Sequence, residues 1–279
     1  MLEVNGELIF RFPMREDVVE RLKQELRLLP ILEGALSMPI PHFDYIGHGD
    51  TEYPYTFVGY HKIGSTPLGA ESITPAQLSD LTPALATFLT ELHSFSHEQA
   101  LRVGFAEHSP EQWRQRWRQD YQDRYTDLQL RVFPLLDEEM RTKTRYLWED
   151  FLNDEDLFAF RPVLAHCDLG CEHIFCDPER SILTGVIDWG DANLGDPAID
   201  FVGLHLRHGR DFTKQVLTRY QSEVDAFFWR RIDFYLCYPP YSELLYGAYS
   251  GGETFIARGL AGLQEIFFKA TLYTSQLTL

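Results

Sequence analysis

Apolar positions recur along this chain at two periods, and the places where the period changes mark its elements. Polar and apolar residues alternate from Glu7 to Phe12, the period of a half-buried strand, and Asn5-Gly6 just before it is a strong hairpin-turn pair. From Glu16 to Leu32 the period lengthens to that of a helix, with Val18, Val19, Leu22, Leu26 and Leu29 on one face. Pro39-Ile40-Pro41 interrupts the chain, after which Phe43–Ile46 and Tyr55–His61 read as strands joined by a loop over 47–54. From Pro67 onward helical spacing dominates: Pro75–His93, Ser109–Tyr125, Glu138–Phe151, Ala198–Gly209, Phe212–Tyr220, Ser222–Leu236 and Glu253–Phe268. Trp113 and Trp117 stand at helical spacing, a stripe that suits a core better than a ligand box. Set among these helices are two short apolar runs, His173–Cys176 and Ile182–Ile187, flanking Asp177-Pro178-Glu179-Arg180; they read as a hairpin. Strands first and helices afterwards make the expected class α+β, without internal repeats or low-complexity segments.

The hairpin carries the chemistry. Asp168 stands five residues before His173 and twenty before Asp188, so one short hairpin holds an acid before its first strand, an imidazole at the start of that strand and a second acid at the end of the other. Such an arrangement suits a base beside a metal that binds polyphosphate. Phosphoryl transfer needs positioning and charge neutralisation more than covalent chemistry, and Mg²⁺ takes one or two carboxylates together with phosphate oxygens. Asp188 fits the metal and Asp168 the proton of an attacking hydroxyl. His173 fits a supporting metal position, although imidazole is a poorer Mg²⁺ ligand than an oxygen. A rival reading is a zinc site, because Cys167, Cys171 and Cys176 crowd around His166 and His173. Their spacings are not those of paired zinc cysteines, and the remaining cysteine, Cys237, is far downstream.

His166-Cys167-Asp168-Leu169, His173, Ile187-Asp188-Trp189-Gly190, Gly195-Asp196-Pro197 and Asp200-Phe201, in that order and spacing, resemble the aminoglycoside phosphotransferase family. The histidine at 173, with Leu183-Thr184-Gly185-Val186-Ile187-Asp188-Trp189-Gly190, is most similar to the branch of 2''-aminoglycoside and macrolide phosphotransferases. The resemblance implies a protein-kinase-like two-lobe fold: a nucleotide-binding β lobe over 1–64 and a mostly helical lobe over 65–279 that holds the hairpin and the acceptor site. It implies Asp168 as the catalytic residue, Asp188 and His173 at Mg²⁺, and ATP or GTP as phosphoryl donor. Arg11 takes the place of a phosphate-holding lysine paired with Glu25, and the backbone of His61 and Ile63 takes the place of the strap that meets the purine. Arginine grips phosphate differently from lysine. Asp191, Glu223, Asp225 and Trp229 are weaker candidates for the acceptor, as carboxylates that suit a sugar amine; Asp233 lies in the same stretch. Asp196 and Asp200 are read as structural, Asp196 as an N-cap before Pro197. Relative to the family the chain begins at what looks like the end of the second strand or at the third. The β lobe is therefore expected to be abbreviated, with a weaker hold on nucleotide.

Composition narrows the partners. The chain has 279 residues, a hydrophobic fraction of 44% and 20 Phe, enough for a sizeable core. No apolar run reaches the roughly 20 residues of a membrane helix, and the first residues lack a signal-peptide pattern. Four cysteines make no disulfide framework and suggest a cytoplasmic location. A net charge of −17 repels nucleic acid and anionic membranes and attracts a polycation. The sequence thus predicts a phosphotransferase acting on a small hydroxylated molecule. An aminoglycoside comes first, a macrolide or another metabolite second. A catalytically weak nucleotide-binding pseudokinase is the alternative of another class.

Overall fold

The computed structural model describes residues 1–64, 66–105 and 108–269. In chain order its regular elements are β1 (Leu2–Val4), β2 (Leu8–Arg11), α1 (Glu16–Leu32), β3 (Tyr45–Gly47), β4 (Phe57–His61), β5 (Thr66–Pro67), α2 (Pro75–His93), α3 (His97–Val103), α4 (Pro110–Asp127), α5 (Glu138–Asn153), β6 (Val163–Ala165), β7 (Ile174–Asp177), β8 (Ile182–Val186), β9 (Asn193–Gly195), α6 (Val202–Leu217), α7 (Phe228–Leu236), α8 (Tyr238–Ser250) and α9 (Glu253–Gln264). They fall into two compact units, Met1–Glu107 with Val163–Glu223, and His108–Pro162 with Val224–Leu279. This partition groups the hairpin with the N-terminal segment, whereas the sequence reading grouped it with 65–279.

The first unit opens with an antiparallel sheet of order β1-β2-β4-β3. Asn5 and Gly6 turn the first hairpin with φ of 54° and 73°, the left-handed pair that such a tight turn requires. Ile9 pairs with Tyr60 and Arg11 with Val58, so alternation puts the Arg11 side chain on the same face as these buried neighbours. α1 forms over the expected residues, with Glu16 and Asp17 in its first turn, where the helix dipole favours acids, and Leu22, Leu28, Leu29 and Leu32 buried. α2 begins with a capping box, Thr74 and Gln77 satisfying each other's backbone N–H groups, and has Pro75 in its first turn. It buries Leu81, Leu85, Phe88, Leu89 and Leu92 and ends at His93. β5, β7 and β8 form a second antiparallel sheet, and β6 pairs with β9. This last pair brackets the hairpin and its acids: β6 runs into residues 166–168, and β9 follows the turn after Asp188.

The second unit packs α4, α5, α7, α8 and α9 around aromatic rings. Phe151 and Phe234 stack at 3.6 Å and Tyr125 and Trp148 at 5.7 Å. Trp113 is buried, and the Trp117 indole donates to the Tyr235 hydroxyl at 3.0 Å, so the tryptophan stripe is packing.

Several boundaries differ from the periodic pattern. Residues 222–227 are not helical, and α7 starts only at Phe228. Asp225 accepts from the Phe227 N–H at 2.8 Å, a side-chain turn that competes with helix. The two helices expected over 198–220 are a tight turn at Pro197–Phe201 followed by α6, broken at Gly209 where φ is 82° and ψ 176°. α3 and α8 were not expected. Pro239 and Pro240 both sit in the first turn of α8, where a missing N–H costs nothing. No helix among the described residues is long and apolar enough to cross a membrane.

Candidate active site

Asp168 follows a backbone held in an uncommon shape. Cys167 has φ of 64°, a left-handed conformation that is strained for a side-chain-bearing residue. The buried Asp200 carboxylate fixes it by accepting from the N–H of His166 at 2.8 Å and of Cys167 at 2.9 Å. His166, fully buried, donates from Nε2 to the Ile187 carbonyl at 3.0 Å and accepts the Asp168 N–H at Nδ1, 3.3 Å away. Burial lowers its pKa, which agrees with a neutral ring donating at one nitrogen and accepting at the other. One imidazole therefore ties the backbone of Asp168 to that of Asp188's neighbour. Asp188 is itself left-handed, with φ of 69°.

The three residues singled out in the hairpin converge: Asp168, His173 and Asp188 each offer a ligand atom, all within 4.8 Å of one another. His173 Nδ1 lies 2.8 Å from the Asp168 carbonyl, which can only accept, so Nδ1 carries the proton. In the neutral ring Nε2 carries the lone pair, and it lies 3.8 Å from an Asp188 oxygen. Two carboxylates and a correctly tautomerised imidazole are a donor set that fits a divalent cation. The side chains of Asp168 and Asp188 are about half exposed, open to an incoming ligand. Burial, with added repulsion from Asp191, Asp188 and Glu172, pushes the Asp168 carboxyl up to about 6 against the opposing pull of His173.

Arg11 and Glu25 meet in a bidentate pair at 2.7 and 2.9 Å. Burial pushes the Glu25 carboxyl up, and the Arg11 charge pulls it back. The same guanidinium stands 3.9 Å from Asp188. α1 also reaches the turn after Asp188 through Gln24, which donates to the Ala192 carbonyl at 2.6 Å, and through Arg21, which pairs with Asp191. An added Cβ at Gly190 would approach Glu25 Oε1 to 3.2 Å, so this turn lies close against the Arg11–Glu25 pair. Arg21 and Gln24 were not singled out in the sequence, although their spacing from Glu25 puts all three on one helix face.

His61 ends β4, and Lys62 donates its N–H to the Glu7 carbonyl at 2.7 Å. The segment continues over the second sheet: an added Cβ at Gly185 would lie 2.2 Å from Ile63, and one at Gly64 would strike the Phe175 ring. Among the acceptor candidates, Asp191 lies beside the cluster but is paired with Arg21. Glu223 is exposed at the end of the first unit. Asp225 and the half-buried Trp229 belong to the second unit, and both Asp225 oxygens are taken by Arg231 at 2.8 and 2.7 Å. Asp196 caps the turn after it, accepting the Ala198 N–H at 3.0 Å.

The zinc alternative gains nothing here. Each thiol donates to a backbone carbonyl: Cys167 to Ala165, Cys171 to Gly203, Cys176 to Thr66 and Cys237 to Asp233. The group that could hold a metal among the described residues contains no cysteine.

Comparison with known proteins bears on the family and the fold. The model of the phosphotransferase enzyme family matches residues 2–235. Viomycin phosphotransferase of Streptomyces vinaceus is 24% identical over 255 residues, spanning 90% of this chain and 82% of that protein. An uncharacterised protein of Bacillus subtilis, YcbJ, is 26% identical over 224 residues, 77% of this chain and 67% of its own. Among solved structures, the GDP and kanamycin complex of APH(2'')-IIia is 30% identical with a TM-score of 0.83, covering 94% of this chain and 87% of that one. The macrolide 2'-phosphotransferase MphH of Brachybacterium faecium, at 23% identity and a TM-score of 0.68 over 92% of this chain and 84% of its own, shares the fold. With residues 2–235 matched and the acidic hairpin in place, this chain belongs to the phosphotransferase enzyme family and has its kinase-like fold.

Proposed function

We propose that this chain moves the γ-phosphoryl group of ATP or GTP to a hydroxyl of a small molecule, with an aminoglycoside as the first choice of acceptor. The observation that carries the reading is the convergence of Asp168, His173 and Asp188, with Arg11 directed at the same point. In this reading Asp168 accepts the proton of the attacking hydroxyl as the bond to phosphorus forms. Asp188 and His173 Nε2 hold Mg²⁺, which when bound neutralises charge on the phosphates. Arg11, oriented by Glu25, turns its remaining N–H groups to phosphate oxygens, and the backbone at His61 and Ile63 meets the purine. The net charge of −17 and the kanamycin bound to a 30% identical relative support a cationic acceptor.

A panel of aminoglycosides, macrolides and viomycin-type peptides, each tested with ATP and GTP and Mg²⁺, tests the proposal. Nucleotide-dependent phosphorylation of an aminoglycoside hydroxyl is expected. Turnover of macrolides alone overturns the choice of acceptor, and phosphorylation of nothing, despite nucleotide binding, overturns the enzyme reading. One observation favours that last outcome: an arginine, Arg11, stands where the family carries a phosphate-holding lysine, and a guanidinium grips phosphate differently. A cytoplasmic location goes with such a role.

A further inference from the structure

One buried polar chain in the first unit begins at a residue that no motif marks. Tyr220, after the end of α6, is 8% exposed, and its hydroxyl lies 2.6 Å from Nδ1 of His93 at the end of α2. Nε2 of the same ring lies 3.1 Å from Asp200 Oδ2. That oxygen also accepts the His166 N–H, and its twin accepts the N–H of the strained Cys167, directly before Asp168. The carboxylate only accepts, so Nε2 of His93 carries the proton, and in the neutral ring Nδ1 accepts from the Tyr220 hydroxyl. In that tautomer donation runs from Tyr220 to His93 and from His93 to Asp200. Phe201 packs edge-on against the Tyr220 ring at 5.3 Å, which restricts where the phenol can go.

We infer that Tyr220 is a positioning residue for Asp168, acting through His93 and Asp200. The inference rests on Asp168 being the residue that takes the acceptor's proton. Asp200 has two backbone N–H groups to hold and one side chain, His93, to hold it in turn. If Tyr220 loses its hydroxyl, the His93 ring is no longer fixed, Asp200 can rotate, and the left-handed Cys167 relaxes. Asp168 then moves relative to the acceptor hydroxyl, while Arg11 keeps its pair with Glu25, and His173 and the residue before Asp188 stay joined by the Ile187 N–H bond to the His173 carbonyl. Small misplacements of a reacting group cost rate, not ground-state binding.

The test uses the whole chain in four variants, Tyr220→Phe, His93→Gln, His93→Leu and Asp168→Asn, beside the parent. In Tyr220→Phe, kcat should fall about tenfold with nucleotide Kd unchanged, and amide exchange at 166–168 should accelerate while that of β7 and β8 does not. His93→Gln keeps one donor and one acceptor in the same order and should stay within about threefold of the parent, whereas His93→Leu should resemble Tyr220→Phe. Wild-type kcat and unchanged exchange in Tyr220→Phe overturn the inference, as does an equal loss of kcat and nucleotide affinity. If Asp168→Asn turns over normally, the functional reading has failed instead. If the parent shows no turnover, exchange at 166–168 alone decides, and no change there overturns the positioning role.

Discussion

Asp168 is half exposed yet carries a raised pKa, and this sets what replacing or titrating it should do. Asp168→Asn keeps the shape and removes the proton acceptor, so kcat should fall on the order of 10²-fold or more with nucleotide Kd little changed. Steady-state kinetics beside a binding titration checks this, and a variant with parental kcat rejects the role. If Asp168 takes the acceptor's proton as proposed, its charged form is the working form, and kcat/KM should fall as pH drops through the carboxyl's pKa. That limb lies near 6 at limiting metal, and at lower pH as Mg²⁺ is raised, because a nearby cation favours the carboxylate. A profile flat from pH 8 to 5 at limiting metal would count against it. Asp188→Ala should abolish the Mg²⁺-dependent part of nucleotide binding, measured by calorimetry with and without metal. Undiminished enhancement by Mg²⁺ would move the principal ligand elsewhere. These residues were legible in the sequence because they sit within one short stretch whose spacing reflects a single hairpin. The network of His93, Asp200 and Tyr220 was not, since its hydrogen bonds span 107 and 127 residues and leave no local pattern.

Elements were legible where burial follows one period and a cap marks the end. α1 and α2 form over the expected residues for that reason: each has one apolar face, and α2 opens on a capping box. The box gives a direct prediction. Thr74→Ala removes the acceptor for the Gln77 N–H and should lower unfolding free energy by about 1 kcal/mol, read from urea denaturation, with nucleotide Kd unchanged. No loss of stability would mean the first turn of α2 is held by packing alone. Elements were illegible where side chains redirect the backbone. Asp225 looked like part of a helix, but its carboxylate first bonds the Phe227 N–H and then takes Arg231, delaying α7 to Phe228. α8, which the sequence pattern left unassigned, carries Pro239 and Pro240 in its first turn, where their missing N–H groups cost nothing. α1 also shows an element working as a clamp: Arg21, Gln24 and Glu25 all reach the segment 188–192, directly or through Arg11.

At the scale of the whole molecule, the excess of 42 acidic over 25 basic residues bears on how an acceptor arrives. If that acceptor is a polycationic aminoglycoside, kcat/KM should fall as salt rises from low to physiological, because charges separated by more than about 10 Å are screened at 0.1 M. A macrolide, with about one positive charge, should show a much flatter dependence. A flat dependence for an aminoglycoside would mean that contacts inside the site, not the field around it, set the encounter. The thiols carry a consequence of a different, practical kind. Burial pushes all four up, Cys171 and Cys237 to about 12. A thiolate, not a thiol, attacks an electrophile, so a disulfide reagent such as DTNB should colour the unfolded chain at four equivalents and the native protein hardly at all. Storage without reductant should leave the protein unharmed, and an inhibitor built around a cysteine-seeking warhead would find no target, even with Cys167 next door to Asp168.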